Sequence, residues 1–190
     1  AVNGVLALGV TFVIITGGID LSVGTMMTFT AVMAGIVVTN LGLPVWMGVL
    51  TGILAGAAAG AINGVVIAWM KIPPFIATLG MMMVARGVAL TITNANAWPA
   101  PEGFGVLGNG TIFGTGQKFP GISYPVIIMI VVALVCSFIL SKTWLCRYTY
   151  AIGSNEEAAR LSGVKIERIR NIDYVLSELI AGMDGIVACA

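Results

Sequence analysis

The sequence predicts an all-α fold, a polytopic helical membrane bundle with about six transmembrane helices. Hydrophobic residues make up 58% of the 190 residues and charged residues only 9%, whereas globular chains carry roughly 25% charged residues. The mean hydropathy is +1.04. So few charges cannot cover a water-exposed fold, and the apolar residues are gathered in continuous runs. We therefore expect the lipid bilayer to be the environment of this chain.

Apolar runs alternate with short segments that are polar or rich in glycine and proline. A helix that crosses a bilayer needs about 20 mainly apolar residues, with a range of roughly 17–25. Each run is predicted to form one membrane helix, within a single transmembrane domain over residues 1–190. The six runs are Ala1–Thr16, Leu21–Val38, Leu43–Met70, Phe75–Thr93, Tyr124–Leu140 and Asn171–Ala190.

Basic residues are concentrated in one of the two long loops. The loop over residues 141–170 carries six, whereas the loop over residues 94–123 carries only Lys118. Cytoplasmic loops have an excess of Lys and Arg, so residues 141–170 are predicted to be cytoplasmic and residues 94–123 extracytoplasmic. Counting crossings places Asn40–Pro44 outside and Gly17–Asp20 at the cytoplasmic face. The six basic residues are Lys142, Arg147, Arg160, Lys165, Arg168 and Arg170.

The third apolar run has a glycine at every fourth position. In lipid there is little hydrophobic force between helices, so helices associate where small residues let their backbones approach. We predict that these glycines form a groove for a neighbouring helix; a place along a substrate path is the alternative. They are Gly48, Gly52, Gly56, Gly60 and Gly64.

Two adjacent glycines and two polar residues separate the first two runs. One interpretation of Thr16–Gly24 is a tight turn at the cytoplasmic face, in which Asp20 and Ser22 cap the next helix. The other is a discontinuous helix of the kind that builds transport sites. Arg86 is expected either to reach the membrane interface or to line a polar path. The candidate residues of a translocation path are Asp20, Ser22, Asn63, Thr78 and Arg86.

Several segments together resemble the permease subunits of bacterial ABC importers for monosaccharides. They are Thr11–Gly24, Lys71–Gly80 followed by Arg86-Gly87, and Arg147–Val164. They occur in the order and spacing of that family, with ribose and galactofuranose permeases the most similar type. The resemblance covers nearly all of the chain. It implies an internal part of a multi-pass protein of the bacterial inner membrane, without the family's first helix and last several helices.

The resemblance also implies the partners. A cytoplasmic ATPase subunit would bind ATP and Mg²⁺, so this chain would bind no cofactor or metal and would not be an enzyme. A second permease subunit would complete the pathway, and a periplasmic sugar-binding protein would deliver the substrate. The sequence has no Gly-x-x-x-x-Gly-Lys-Ser/Thr motif, so no P-loop is expected. A net charge of +1 gives no indication of nucleic-acid binding.

Within residues 141–170, the resemblance assigns contact with the ATPase to the segment Gly153–Gly163. The residue types fit a short surface helix, because Asn155 suits an N-cap, two glutamates suit the first turn and Gly163 suits the end. The residues of this predicted coupling loop are Gly153, Ser154, Asn155, Glu156, Glu157, Ala158, Ala159, Arg160 and Gly163.

The last apolar run departs from the family pattern, which usually has small or apolar residues where Glu178 and Asp184 stand. Helical geometry places Asp173 and Asp184 near one face and turns Glu178 away. Because unpaired charges in a membrane are costly, we expect these side chains to face other subunits or water, or to mark a degenerate copy of the family's sequence. An ion-coupled secondary carrier that uses them together with Asp20 is the alternative function. A membrane enzyme is a third hypothesis, disfavoured because the chain has no His and no convergent catalytic pair.

Overall fold

The computed structural model describes residues 1–96, 104–105, 108, 110–112 and 121–189. In these ranges, eight helices and one pair of short strands are present. The helices are α1 (Val2–Ile15), α2 (Val23–Thr39), α3 (Val45–Ala68), α4 (Pro74–Thr93), α5 (Tyr124–Lys142), α6 (Trp144–Ser154), α7 (Glu156–Leu161) and α8 (Ile166–Cys189). Strands β1 (Thr111–Ile112) and β2 (Ile122–Ser123) pair antiparallel, with Thr111 opposite Ser123. The predicted all-α class is confirmed.

Each of the six predicted runs forms a helix at the expected place. Three of them, α3, α4 and α5, are long and apolar enough to cross a membrane by length and composition. Helices α1 and α2 are apolar but have only 14 and 17 residues, and α8 carries several charged residues. Most of the predicted extracytoplasmic loop, including Lys118, lies outside the described residues.

Helix α8 is the central element of the bundle. It packs along α3 and also contacts α1, α2, α6 and α7. This central position explains why α8 is less apolar than the other long helices, since protein rather than lipid surrounds it on several sides. Polar side chains on such a helix can bond with neighbouring helices instead of facing hydrocarbon.

The glycine repeat of α3 faces α8 and α2, and all five glycines are buried. A Cβ on Gly60 would lie 2.6 Å from the carbonyl oxygen of Tyr174 and 2.8 Å from Cα of Val175. A Cβ on Gly56 would meet the carbonyl oxygen of Glu178, and one on Gly64 would meet Asn171. Backbone atoms, which cannot move aside as a flexible side chain can, therefore occupy the space that a methyl group would need.

The N-terminal part of the same repeat also contacts α2. A Cβ on Gly48 would lie 2.9 Å from the carbonyl oxygen of Ala34, and one on Gly52 would lie 3.2 Å from that of Thr30. Helix α8 contributes Gly182, whose Cβ would lie 3.0 Å from the carbonyl oxygen of Gly52. The three helices α2, α3 and α8 thus meet at a common seam of small residues.

The segment over residues 16–22, here called the link, joins α1 to α2 inside the bundle. The Tyr174 hydroxyl donates a hydrogen bond of 3.3 Å to the carbonyl of Ile19, and Ser22 contacts Glu178, halfway along α8. The link is therefore bonded to other helices of the bundle, whereas its position at the cytoplasmic face stays a prediction. Ser22 occupies the N-cap position of α2 but makes no side-chain cap bond, because its hydroxyl is engaged with two carboxyl groups instead.

We predict that Gly60→Ala destabilises the full-length protein by about 1–3 kcal/mol, the usual cost of overpacking a tight contact. The physical reason is the collision of the new methyl group with the α8 backbone. Thermal unfolding in detergent measures the effect.

Gly80→Ala is the matched control, because a Cβ on Gly80 meets nothing within 4 Å. This change should be neutral or stabilising, since alanine favours a helix by about 1 kcal/mol over glycine. Equal unfolding temperatures for the two variants would contradict close packing of α3 on α8.

Candidate functional site

Residues 143–165 form two short helices that pack against the ends of three membrane helices. An apolar cluster joins them to the start of α8, and its buried members are Leu145, Ile152, Ala159, Ile166 and Ile169. Gly153 allows the end of α6 to touch α1, because a Cβ there would collide with the carbonyl oxygen of Ile15. The predicted coupling loop is therefore held firmly against the bundle.

Helix α7 has the boundaries that the sequence predicts. The Asn155 side chain accepts a hydrogen bond of 2.9 Å from the backbone N–H of Ala158, which satisfies one of the free donors of the first turn. Glu156 and Glu157 occupy that turn, where carboxylates are favourable. Gly163, with φ of +83°, lies in the left-handed region just after the helix. The contact with an ATPase remains a prediction.

The two glutamates of α7 have different surroundings. Glu156 pairs with Arg170 of α8 at 2.9 Å and with Arg160 at 3.4 Å, so it ties α7 to the bundle. Glu157 is exposed. Leu161 is 86% exposed and was not among the predicted site residues. The sequence feature that could have identified Leu161 is its place as an apolar residue on the polar side of a short, charged helix.

A small groove lies between α7 and the segment that joins α3 to α4. Its volume is about 320 Å³, and it is lined by Lys71, Arg160 and Arg170 as well as by Glu156 and Glu167. Charges of both signs occur side by side. The groove therefore offers polar contacts, but it does not present an electrostatic field of a single sign.

Three of the predicted path residues meet in a buried polar cluster with two residues of α8. We call Asp20, Ser22, Asn63, Ser177 and Glu178 the polar cluster. Its members are at most 7% exposed. They join the link, α3 and α8 to one another.

Hydrogen bonds connect every member of the polar cluster. Oδ1 of Asp20 accepts from the backbone N–H of Ser22 at 3.0 Å and lies 2.6 Å from its hydroxyl. The same hydroxyl lies 2.5 Å from Oε1 of Glu178. Asn63 donates to Ser22 at 3.1 Å and to Glu178 at 3.3 Å. Oδ2 of Asp20 accepts from the Ser177 hydroxyl at 3.1 Å.

The other two predicted path residues are not members of the polar cluster. Thr78 is buried; its hydroxyl donates to the carbonyl of Pro74 in its own helix at 2.9 Å and lies 3.4 Å from the carbonyl of Ile19 in the link. Arg86 is exposed and lines a cavity of about 520 Å³ between α2, α4 and the end of α8. Polar groups of Thr25, Thr28 and Asn96 face the same cavity. A path role remains a prediction, and only Arg86 of the five lines this cavity.

The acidic residues of α8 lie inside this chain, so the expectation that they face other subunits or water is wrong. Asp173, Glu178 and Asp184 are 0%, 0% and 1% exposed. Asp173 accepts a hydrogen bond of 3.3 Å from Thr149 of α6, whereas neither carboxyl oxygen of Asp184 has a partner among the described residues.

The described part of the chain contains no group of three or more His, Cys, Asp or Glu side chains placed to hold a metal ion. Its conspicuous arrangements are a capped surface helix, an open and mainly apolar cavity that Arg86 lines, and a buried polar cluster.

Comparison with known proteins identifies relatives along the whole chain. Residues 1–190 match the family described as "Branched-chain amino acid transport system / permease component". A ribose import permease protein of Bacillus subtilis (strain 168) is 44% identical over 188 residues, which cover 98% of this chain and 56% of that protein. The ribose import permease protein of Escherichia coli (strain K12) is 39% identical over 193 residues, covering 100% and 58%.

An L-arabinose transport system permease protein of Escherichia coli (strain K12) is 39% identical over 188 residues, covering 98% of this chain and 55% of that protein. The chain thus spans a little over half the length of these relatives. No solved structure matches it significantly.

We predict that Asn155→Ala loosens α7 by about 1 kcal/mol, the usual value of an N-cap, because the N–H of Ala158 loses its acceptor. Faster amide hydrogen exchange at Ala158 would report the change. Ser154→Ala is the control, since the Ser154 hydroxyl only donates to the carbonyl of Ala151. If both variants exchange at the same rate as the unchanged protein, the cap does not hold α7.

Proposed function

We propose that this chain is part of the transmembrane permease subunit of an ATP-binding-cassette importer. The reason is that it belongs to the family of branched-chain amino acid transport system permease components. The names of its relatives specify import of ribose and transport of L-arabinose. We therefore propose a monosaccharide as its substrate. The membrane would be the bacterial inner membrane, which the chain crosses several times.

Helix α7 is the feature that carries this proposal. A capped helix that is ion-paired to the bundle on one side presents Glu157, Ala158 and Leu161 on the other. An apolar side chain that is 86% exposed gains free energy when a partner covers it. Such a rigid, partly apolar projection suits docking into a groove of a separate ATPase subunit.

The packing around α7 suggests how the docking would act on the bundle. Glu156 connects α7 to Arg170 of α8, and Gly153 connects α6 to the end of α1. The link follows α1 directly and contacts the middle of α8. Movement imposed on α7 would therefore shift α1, the link and α8 together, as rigid-body alternating access requires.

The cavity at Arg86 is the best candidate for a segment of the sugar path. Its volume of about 520 Å³ lies within the range of roughly 300–1,000 Å³ that is usual for small-molecule sites. Guanidinium, hydroxyl and amide groups can all bond to sugar hydroxyls. We propose that a second permease subunit completes this path on its open side.

The remaining partners follow from the same proposal. ATP and Mg²⁺ would bind to the ATPase subunit and not to this chain, and a periplasmic sugar-binding protein would deliver the substrate. A secondary carrier has less support, because the four carboxyl groups it would use do not line the cavity. They are Asp20, Asp173, Glu178 and Asp184.

We predict that Leu161→Gln in the full-length protein lowers both ATPase association and sugar uptake at least tenfold while the subunit folds normally. The reason is loss of the apolar contact that the partner would cover, and a tenfold loss corresponds to about 1.4 kcal/mol. Co-purification of the ATPase and uptake of labelled sugar measure the two effects. Glu157→Lys should act in the same direction.

Leu41→Gln is the matched control. Leu41 is 64% exposed but lies in the turn that is predicted to face outside, so its replacement should leave ATPase association intact. Glu156→Lys is less informative, because it also breaks the ion pair with Arg170. Unchanged association and uptake in both Leu161→Gln and Glu157→Lys would refute docking through α7.

The predicted orientation has a separate test. In intact cells, an impermeant thiol reagent should label Asn40→Cys but should label Ser162→Cys only after permeabilisation. Both positions are exposed, and the unsubstituted protein controls for Cys136, Cys146 and Cys189. Strong labelling of Ser162→Cys from outside would reverse the topology and exclude a cytoplasmic ATPase as the partner of α7.

A further inference from the structure

The Ser22 hydroxyl of the polar cluster lies between two carboxyl groups. It is 2.6 Å from Oδ1 of Asp20 and 2.5 Å from Oε1 of Glu178, and both distances are typical of strong O–H···O hydrogen bonds. A serine hydroxyl carries one hydrogen, so it can donate to only one of the two oxygens. The third neighbour, Nδ2 of Asn63, is itself a donor and cannot accept a hydrogen from Ser22.

One of the two carboxyl groups must therefore be protonated and donate a hydrogen bond to Ser22. If both were ionised, one contact of about 2.5 Å would join a hydroxyl oxygen to a carboxylate oxygen with no hydrogen between them. That arrangement is repulsive, and it would occur in a site where water does not screen the charges. The short distances are satisfied when the pair shares one proton and carries a single negative charge.

Hydrogen-bond partners distinguish the two carboxyl groups. Asp20 accepts from the N–H of Ser22 and from the hydroxyls of Ser22 and Ser177, and such donors favour the ionised form. Glu178 is 0% exposed, and its Oε2 atom is buried with no partner among the described residues. Burying a carboxylate oxygen without any hydrogen-bond donor costs much free energy. Burying the corresponding oxygen of a neutral carboxylic acid costs much less.

The charged groups around the polar cluster do not alter this assignment. On α8, Tyr174 is turned toward the link and donates to Ile19, and Asp173 bonds with Thr149 of α6. Arg170, one turn before Tyr174, pairs with Glu156 of α7. Helix α3 contributes only the neutral amide of Asn63. Among the described residues, no Lys or Arg forms an ion pair with Asp20 or Glu178.

We propose that the polar cluster is a proton-binding site, in which neutral Glu178 donates a hydrogen bond to Ser22 and Ser22 donates to ionised Asp20. The proton joins α8 to the link through a single chain of hydrogen bonds. Removal of this proton would leave one negative charge on each side of Ser22, on Asp20 and on Glu178, and would separate the link from α8. This inference is independent of the proposed transport function, because it concerns the state of the bundle itself.

Infrared spectroscopy of the full-length protein in lipid nanodiscs tests the proposal at neutral pH. The double variant Asp173→Asn with Asp184→Asn removes the other two buried carboxyl groups of α8, and it should show the carbonyl band of a protonated carboxylic acid. Adding Glu178→Gln to this double variant should remove the band. Absence of the band from the double variant, or its persistence after Glu178→Gln is added, would overturn the proposal.

Thermal unfolding gives an independent readout. Glu178→Gln preserves the size and the neutral charge that we assign to this side chain, so its unfolding temperature should match that of the unchanged protein. Ser22→Ala removes the shared hydroxyl and should lower the unfolding temperature clearly. If Glu178→Gln is as unstable as Ser22→Ala, or does not fold, then residue 178 needs its negative charge and the proposal is wrong.

Discussion

Close backbone contact between α3 and α8 is the constraint on which the rest of this structure depends. Three glycines of α3, at positions 56, 60 and 64, leave no room for even a methyl group against α8. Lipid provides little hydrophobic force to bring helices together, so this proximity has to come from dispersion contacts and short polar bonds. With α8 so close, Asn63 can reach Glu178, and the link can bond to the same side of α8.

The position of α8 also explains how the bundle accommodates three buried acidic residues on one helix. Protein surrounds α8 on several sides, so two of these carboxyl groups bond with different neighbours, whereas that of Asp184 has no partner among the described residues. Asp173 meets α6, and Glu178 meets the link and α3. These polar contacts determine the register of α8 against its neighbours. A purely apolar helix could slide by one turn at a smaller cost in free energy.

The positions of the helices were predictable because hydrophobic runs of this length have few alternatives in a membrane. The glycine repeat was likewise visible, since its four-residue period follows from helical geometry. The cap of α7 was also predictable, because Asn155 and the two glutamates act on their own neighbours in the chain. These predictions rest on local properties, or on properties that repeat along one helix.

The features that sequence reasoning missed depend on contacts between distant segments. The contact of the link with α8 was missed because its partner, Glu178, is 156 positions away from Ser22. Helix α6 was taken as part of a loop, although Leu145, Thr149 and Ile152 lie on one face at helical spacing and are buried. Leu161 was overlooked because exposure cannot be deduced from residue type alone.

The separation between Ser22 and Glu178 has a consequence for biogenesis. Irregular backbone inside a bilayer needs protein partners for its polar groups, and the link acquires its main partner only after α8 has been synthesised. At roughly 5–20 residues per second, a delay of 156 residues lasts about 10–30 s. During that interval the polar side chains of Asp20 and Ser22 lack the partners that α8 provides. The contact between the link and α8 can therefore form only late in the synthesis of the described chain.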